Sequence, residues 1–283
     1  MEALLLDPLA LPFMVRGLSA AILIGVVAPV LGCYVVLRGM AFFGDALAHI
    51  VLPGVVIAFL LGWPLLVGAL VVGVLAALLI NLISGTTTIK EDSAIGVVFV
   101  GAFALGIALI SLRGGDYGEE LEHILFGNLL DVSQTDLFVI ALLAAIVLVF
   151  IAAFFKELQV LAFDQVLATT MQLPVGLLNN LLLVLLAVVI VVSLSAVGVV
   201  LVLAMLITPA AAAFLLTRRL PTMMLLAAVF GVVSGVVGLY LSFHLEVASG
   251  PMIVLVATSI FGVVFLFAPG RGFISSRRRG SVA

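Results

Sequence analysis

The fold class predicted by this sequence is an all-α polytopic membrane protein with about nine spans, within a range of eight to ten. Composition is the first reason: of 283 residues, 66% are hydrophobic and 9% charged, and the mean hydropathy is +1.52. Soluble domains average about 45–50% apolar and 25% charged, so a soluble bundle of this size would have no means of hiding its apolar surface. The second reason is the recurrence of charge-free runs near the ~20 residues a bilayer crossing requires. The third is that Lys and Arg gather in alternate connections between those runs.

Taken in order, residues 1–16 open with Glu2 and Asp7 instead of a basic stretch, and so do not read as a secretory signal. Pro8 and Pro12 make them an irregular or interfacial lead-in. Spans are then expected near 17–37, 43–61, 64–84, 94–112, 136–155, 177–197, 199–217, 222–243 and 250–268, all within a single transmembrane domain of residues 1–283. Gly62-Trp63-Pro64 separates the second span from the third, with Trp63 suited to an interface. The break between 177–197 and 199–217 rests only on Ser193, Ser195 and Gly198, so one long element plus a re-entrant piece is an alternative there.

Orientation follows from the basic residues. With residues 269–283 as a cytoplasmic basic tail and nine alternating spans, Arg38, Lys90, Lys156, Arg218, Arg219, Arg271, Arg277, Arg278 and Arg279 fall inside. Only Arg16 and Arg113, two of the eleven, fall outside. The expectation is an external amino terminus and a cytoplasmic carboxyl terminus. Asp116, Glu119, Glu120, Glu122, Asp131 and Asp136 crowd one external loop, which can attract cations or a basic docking partner, or can simply be solvated.

Residues 156–174 form the one cytoplasmic connection long enough to hold structure. Asp164 is placed to cap a short helix running to about Met171, with Pro174 opening the next span. Such a helix on the cytoplasmic face is a grip for a soluble partner, or an interfacial helix with none. Cys33 stands alone in an apolar run, so no internal disulfide exists. Gly231/Gly235 and Gly101 near Gly106 fit close helix packing, and the scattered methionines read as core filler.

The chemistry concentrates in Gly39 to Gly54, where Asp45 and His49 stand four residues apart in an apolar run. On a helix these positions share a face, about 5–6 Å apart. Ionisable groups in a span are unfavourable in hydrocarbon and usually line a pathway. A carboxylate oxygen with an imidazole nitrogen suits a divalent transition metal such as zinc or manganese. Two ligands are fewer than a stable site needs, which suits a site that must release its ion; water, backbone carbonyls or a second copy of the chain can complete the shell. Pro53-Gly54 points to a helix break of the kind transporters place near substrate. The plain structural alternative has Asp45 capping a helix and His49 hydrogen-bonding to a neighbour. A second functional alternative is a stand-alone secondary transporter that uses the pair as a proton or cation relay.

Weaker metal candidates are His123, beside Glu119 in the acidic loop, and His244 with Glu246 at an external turn read as extended. Three absences narrow the field. There is no G-x-x-x-x-G-K-[ST] phosphate loop and no H-E-x-x-H metalloprotease motif. A two-carboxylate intramembrane protease would need a second acid as well placed as Asp45. An enzyme is therefore not expected.

These residues resemble a known family, the permease subunits of bacterial ABC importers for zinc, manganese and sometimes iron. The resemblance spans about Gly17 to Phe267. It is carried by Gly32 to Gly54, Phe163-Asp164, Val197-Gly198-Val199-Val200-Leu201, Leu206-Ile207-Thr208-Pro209-Ala210 and Ser249-Gly250-Pro251. It implies a type II importer-like permease in the bacterial plasma membrane, working as a homodimer with two cytoplasmic ATPase subunits. An external solute-binding protein would deliver the ion. No nucleic acid is expected as a partner, and no cofactor beyond the transported metal. By the same resemblance Asp45 and His49 meet metal in the translocation path, and Phe163, Asp164 and Ala168 belong to the segment that couples to the ATPase. One departure stands out: family members commonly carry glycine eight residues after the aspartate of that segment, where this chain has Gln172.

Overall fold

A computed structural model describes residues 10–112, 129 and 132–269. Their regular structure is helical: α1 (Pro12–Arg38), α2 (Phe42–Ile50), α3 (Leu52–Leu61), α4 (Leu65–Thr86), α5 (Glu91–Ser111), α6 (Gln134–Ala153), α7 (Phe155–Phe163), α8 (Gln165–Thr170), α9 (Val175–Val197), α10 (Val199–Leu216), α11 (Leu220–Leu245) and α12 (Ser249–Phe267). With α2 and α3 joined as one crossing, nine stretches among the described residues are long and apolar enough to cross a membrane. The nine expected spans match them in order.

Helix α1 begins at Pro12, so residues 12–16, read from sequence as lead-in, are its first turns. Proline is well tolerated at a helix start, where its missing N–H had no partner to lose. The doubtful separation of α9 from α10 is real: Gly198 has φ 84 and ψ 162, a backbone state that side chains disfavour, and α10 starts directly after it. Gly62 ends α3 at φ 68 ahead of Trp63-Pro64. Asp136, counted above with the acidic loop, is engaged in starting α6. Its carboxylate accepts from the Ser133 hydroxyl at 2.6 Å while its own N–H donates to that hydroxyl at 3.1 Å.

The chain divides into two compact units. The first takes residues through Val36, the stretch that includes 132–146, and everything from Ala196. Within it α10, α11 and α12 pack on one another, and α1 reaches α10 and α11 through glycines. A Cβ on Gly25 would strike the backbone of Gly231, one on Gly235 would press on Ala21, and one on Gly32 would overlap the Leu206 carbonyl. Backbones approach this closely in membranes because only small residues let dispersion contacts form without a hydrophobic driving force. Gly101 behaves differently from the packing expected of it: a methyl there meets open space among the described residues.

The second unit comprises residues from Leu37 to the acidic loop and 147–195. Here α3 crosses α4 with Gly54 against the backbone of Gly68, α5 packs on α2, α3 and α4, and α7 lies against α8. This unit holds both Asp45 and the segment 156–174.

Candidate functional site

Helix α2 places Asp45 in its first turn and His49 in its last, so the pair shares one face of a nine-residue helix. Both side chains are half-buried, whereas Phe43, Gly44, Ala46, Leu47, Ala48 and Ile50 around them are buried. Neither side chain does what the plain structural alternative requires. The residue preceding α2 is Ala41, and no side chain caps that end. Among the described residues Asp45 and His49 make no hydrogen bond or ion pair.

The break expected at Pro53-Gly54 falls slightly earlier, at Val51, where α2 passes into α3 through one turn residue at φ −71 and ψ −13. Proline has no N–H, so the His49 carbonyl four residues before it loses its usual helical donor. The chain stays nearly continuous: Val51 N–H donates to Leu47 O at 3.2 Å, and Val55 N–H to Val51 O at 3.1 Å. Gly54 is needed for the close crossing with Gly68.

On one side the His49 ring meets aromatics of α5. Its centroid lies 5.5 Å from that of Phe103 with the planes at 72°, and 5.8 Å from that of Phe99 at 54°. Sequence reasoning missed Phe99 and Phe103, because two phenylalanines in a charge-free span look like any other core filler.

A second feature it missed is a polar chain running through four helices. Arg38, in the last turn of α1, donates from Nη2 to both carboxylate oxygens of Glu91 at 2.8 and 3.1 Å. Its Nη1 donates to Asn179 Oδ1 on α9. Asn179 Nδ2 donates to Asn81 Oδ1 on α4, and Asn81 Nδ2 to Asn180 Oδ1 at 2.8 Å. The side chains of Arg38 and Glu91 are 3% and 18% exposed, so the ion pair is shielded from water. Each partner also sits at the helix end its charge favours, the cation at the end of α1 and the anion at the start of α5. Arg38 alone carries no such signal in the sequence, but three asparagines inside apolar helices do.

The segment 156–174 folds as the cap pattern implies. Asp164 Oδ1 accepts from the N–H groups of Val166 and Leu167, both at 2.9 Å, and starts α8. Ala168 is fully buried, while Phe163, Val166, Leu167 and Met171 are exposed. Gln172 has φ 56. It occupies the left-handed position of a Schellman ending, in which its own N–H bonds Thr169 O at 3.0 Å and Leu173 N–H bonds Ala168 O at 3.1 Å. That is the conformation glycine adopts without strain, so the chain keeps at Gln172 the backbone shape a glycine would allow.

His123 lies outside the described residues. His244 and Glu246 are exposed, and the segment is not extended as expected: α11 runs to Leu245, and Glu246 caps it at φ 54. The His244 Nδ1 pairs with the Tyr240 carbonyl at 2.8 Å, and its ring packs on Phe243. No group of three His, Cys, Asp or Glu side chains comes together among the described residues. Among the described residues Asp45 and His49 are a carboxylate and an imidazole on one helix face, neither held by a hydrogen bond or ion pair.

A model of the ABC 3 transport family matches residues 10–268. The manganese transport system membrane protein MntC of Halalkalibacterium halodurans is 48% identical over 275 residues, which are 97% of this chain and 94% of that protein. The chelated iron transport system membrane protein YfeD of Yersinia pestis is 42% identical, with 94% of this chain and 89% of that protein covered. Among solved structures, PsaBC from Streptococcus pneumoniae in complex with Fab superposes with a TM-score of 0.83 at 42% identity, covering 98% of this chain and all of that one.

Proposed function

Because the chain belongs to the ABC 3 transport family, we propose that this multi-pass membrane permease passes a divalent transition metal, manganese foremost, across the plasma membrane as part of an ATP-driven importer. The observation that carries the metal reading is the pair on α2. A carboxylate and an imidazole sit on one face of a membrane-spanning helix, half-buried and without a hydrogen-bond or ion-pair partner among the described residues. An unpaired carboxylate in such a place is poorly solvated, and a visiting cation stabilises it. Oxygen plus nitrogen suits manganese, iron and zinc alike; relatives whose names specify manganese and iron favour the first two.

In this reading the ion leaves its carrier with part of its hydration shell, exchanges water for Asp45 and His49, and moves on because two protein ligands hold it loosely. Two copies of the chain enclose the path, and an external solute-binding protein delivers the ion. Two ATPase subunits grip the exposed apolar side chains of α7 and α8 around Phe163, Asp164 and Ala168, on the cytoplasmic side. The amino terminus then lies outside and the carboxyl terminus inside. The chain itself catalyses nothing. The stand-alone carrier finds no support among the relatives.

The test is reconstitution. In proteoliposomes, manganese should enter only when the chain is purified with its ATPase and ATP is supplied. Gradient-driven manganese uptake by the chain alone would overturn the reading.

A further inference from the structure

We propose that Phe99 and Phe103 are positioning residues for the imidazole of His49, fixing the ring in the orientation in which it takes the metal. The inference rests on the reading of His49 as a metal ligand and adds what holds that ligand in place. A metal-binding histidine is ordinarily oriented by a hydrogen bond to its second ring nitrogen. His49 has no such bond among the described residues. What it has instead is a wall of two phenyl rings. Phe99 and Phe103, four residues apart on α5, share one face and stack on each other with centroids 6.0 Å apart and planes 21° from parallel. Phe103 meets the imidazole edge-on at 5.5 Å, and Phe99 meets it tilted at 5.8 Å. Phe42, one turn before Asp45 on α2, then braces Phe99 edge-on at 5.7 Å and 88°.

Two consequences follow from this geometry. Edge-to-face contact restricts the rotation of the imidazole, because ring quadrupoles favour that arrangement over neighbouring ones. The rings also cover one flank of His49 with a surface that offers the ion no competing ligand. A hydrogen-bonded histidine would be held more tightly; ring contacts orient it and still let it yield as the ion leaves.

The test measures ATP-driven manganese uptake by the full reconstituted transporter, normalised to assembled complex, for Phe99→Leu, Phe103→Leu, Phe103→Tyr and His49→Ala. Leucine keeps apolar bulk and removes the ring; tyrosine keeps the ring. Each leucine variant should lose turnover by about fivefold, the equivalent of one aromatic pair. KM should remain unchanged, since capture belongs to the delivering protein, and Phe103→Tyr should recover most of the turnover. A purely structural role would instead lower the amount of assembled complex and leave turnover per complex intact. Wild-type turnover per complex in both leucine variants, with His49→Ala inactive, overturns the positioning role and leaves the ligand role standing. Wild-type uptake by His49→Ala overturns it from the other direction, by removing the ligand it positions.

Discussion

The ion pair at the junction of α1 and α5 makes the sharpest stability prediction. The side chains of Arg38 and Glu91 are 3% and 18% exposed, and the guanidinium donates to both Glu91 and Asn179. Replacing Glu91 by Leu leaves a cation shielded from water with no counter-charge, which costs about 3–5 kcal/mol. Replacing Arg38 by Met leaves the carboxylate in the same position and also removes the donor to Asn179. The double replacement removes both charges and puts apolar volume in their place, so it should lose only about 1–3 kcal/mol, for the Asn179 oxygen left without its donor. The double variant is therefore predicted to be more stable than either single one. Denaturant unfolding of the chain in detergent micelles, arranged as a double-mutant cycle, measures this directly. Single losses that simply add in the double variant would show the two residues to be independent and would refute the reasoning.

Two further predictions follow from local geometry. Gln172→Gly should stabilise the turn after α8 by about 1 kcal/mol, the strain a side chain bears in the left-handed region, and should raise the midpoint of thermal unfolding; a lower midpoint would contradict the strain argument. Gly54→Val should prevent α3 from closing on Gly68 and sharply reduce the yield of folded chain, as read by size-exclusion chromatography, whereas Gly101→Val should be tolerated because no described residue comes within 4 Å of a Cβ there.

Much of the architecture was legible because a bilayer imposes a length and a polarity on every crossing. Runs of apolar residues marked nine spans, and Asp164 marked its own cap. Asp45 and His49 stood out because each violates the apolar rule at a spacing that puts both on one helix face. What stayed hidden depends on distance along the chain. Arg38 meets Asn179 across 141 positions, and no local pattern announces such a pairing. Phe99 and Phe103 gain meaning only once α5 lies against α2. Pro12 marks an irregular lead-in by pattern yet opens a helix, since its fixed φ and missing N–H suit a helix start as well as a helix break. The extended reading of His244 and Glu246 failed because α11 continues through His244 before its left-handed cap at Glu246.

The Asp45–His49 pair is also where the account is most exposed. Radiolabelled manganese uptake by the reconstituted transporter, compared among wild type, Asp45→Ala and His49→Ala at equal amounts of assembled complex, tests it most directly. Loss of uptake in both variants is the predicted result; uptake at the wild-type rate in both would contradict it.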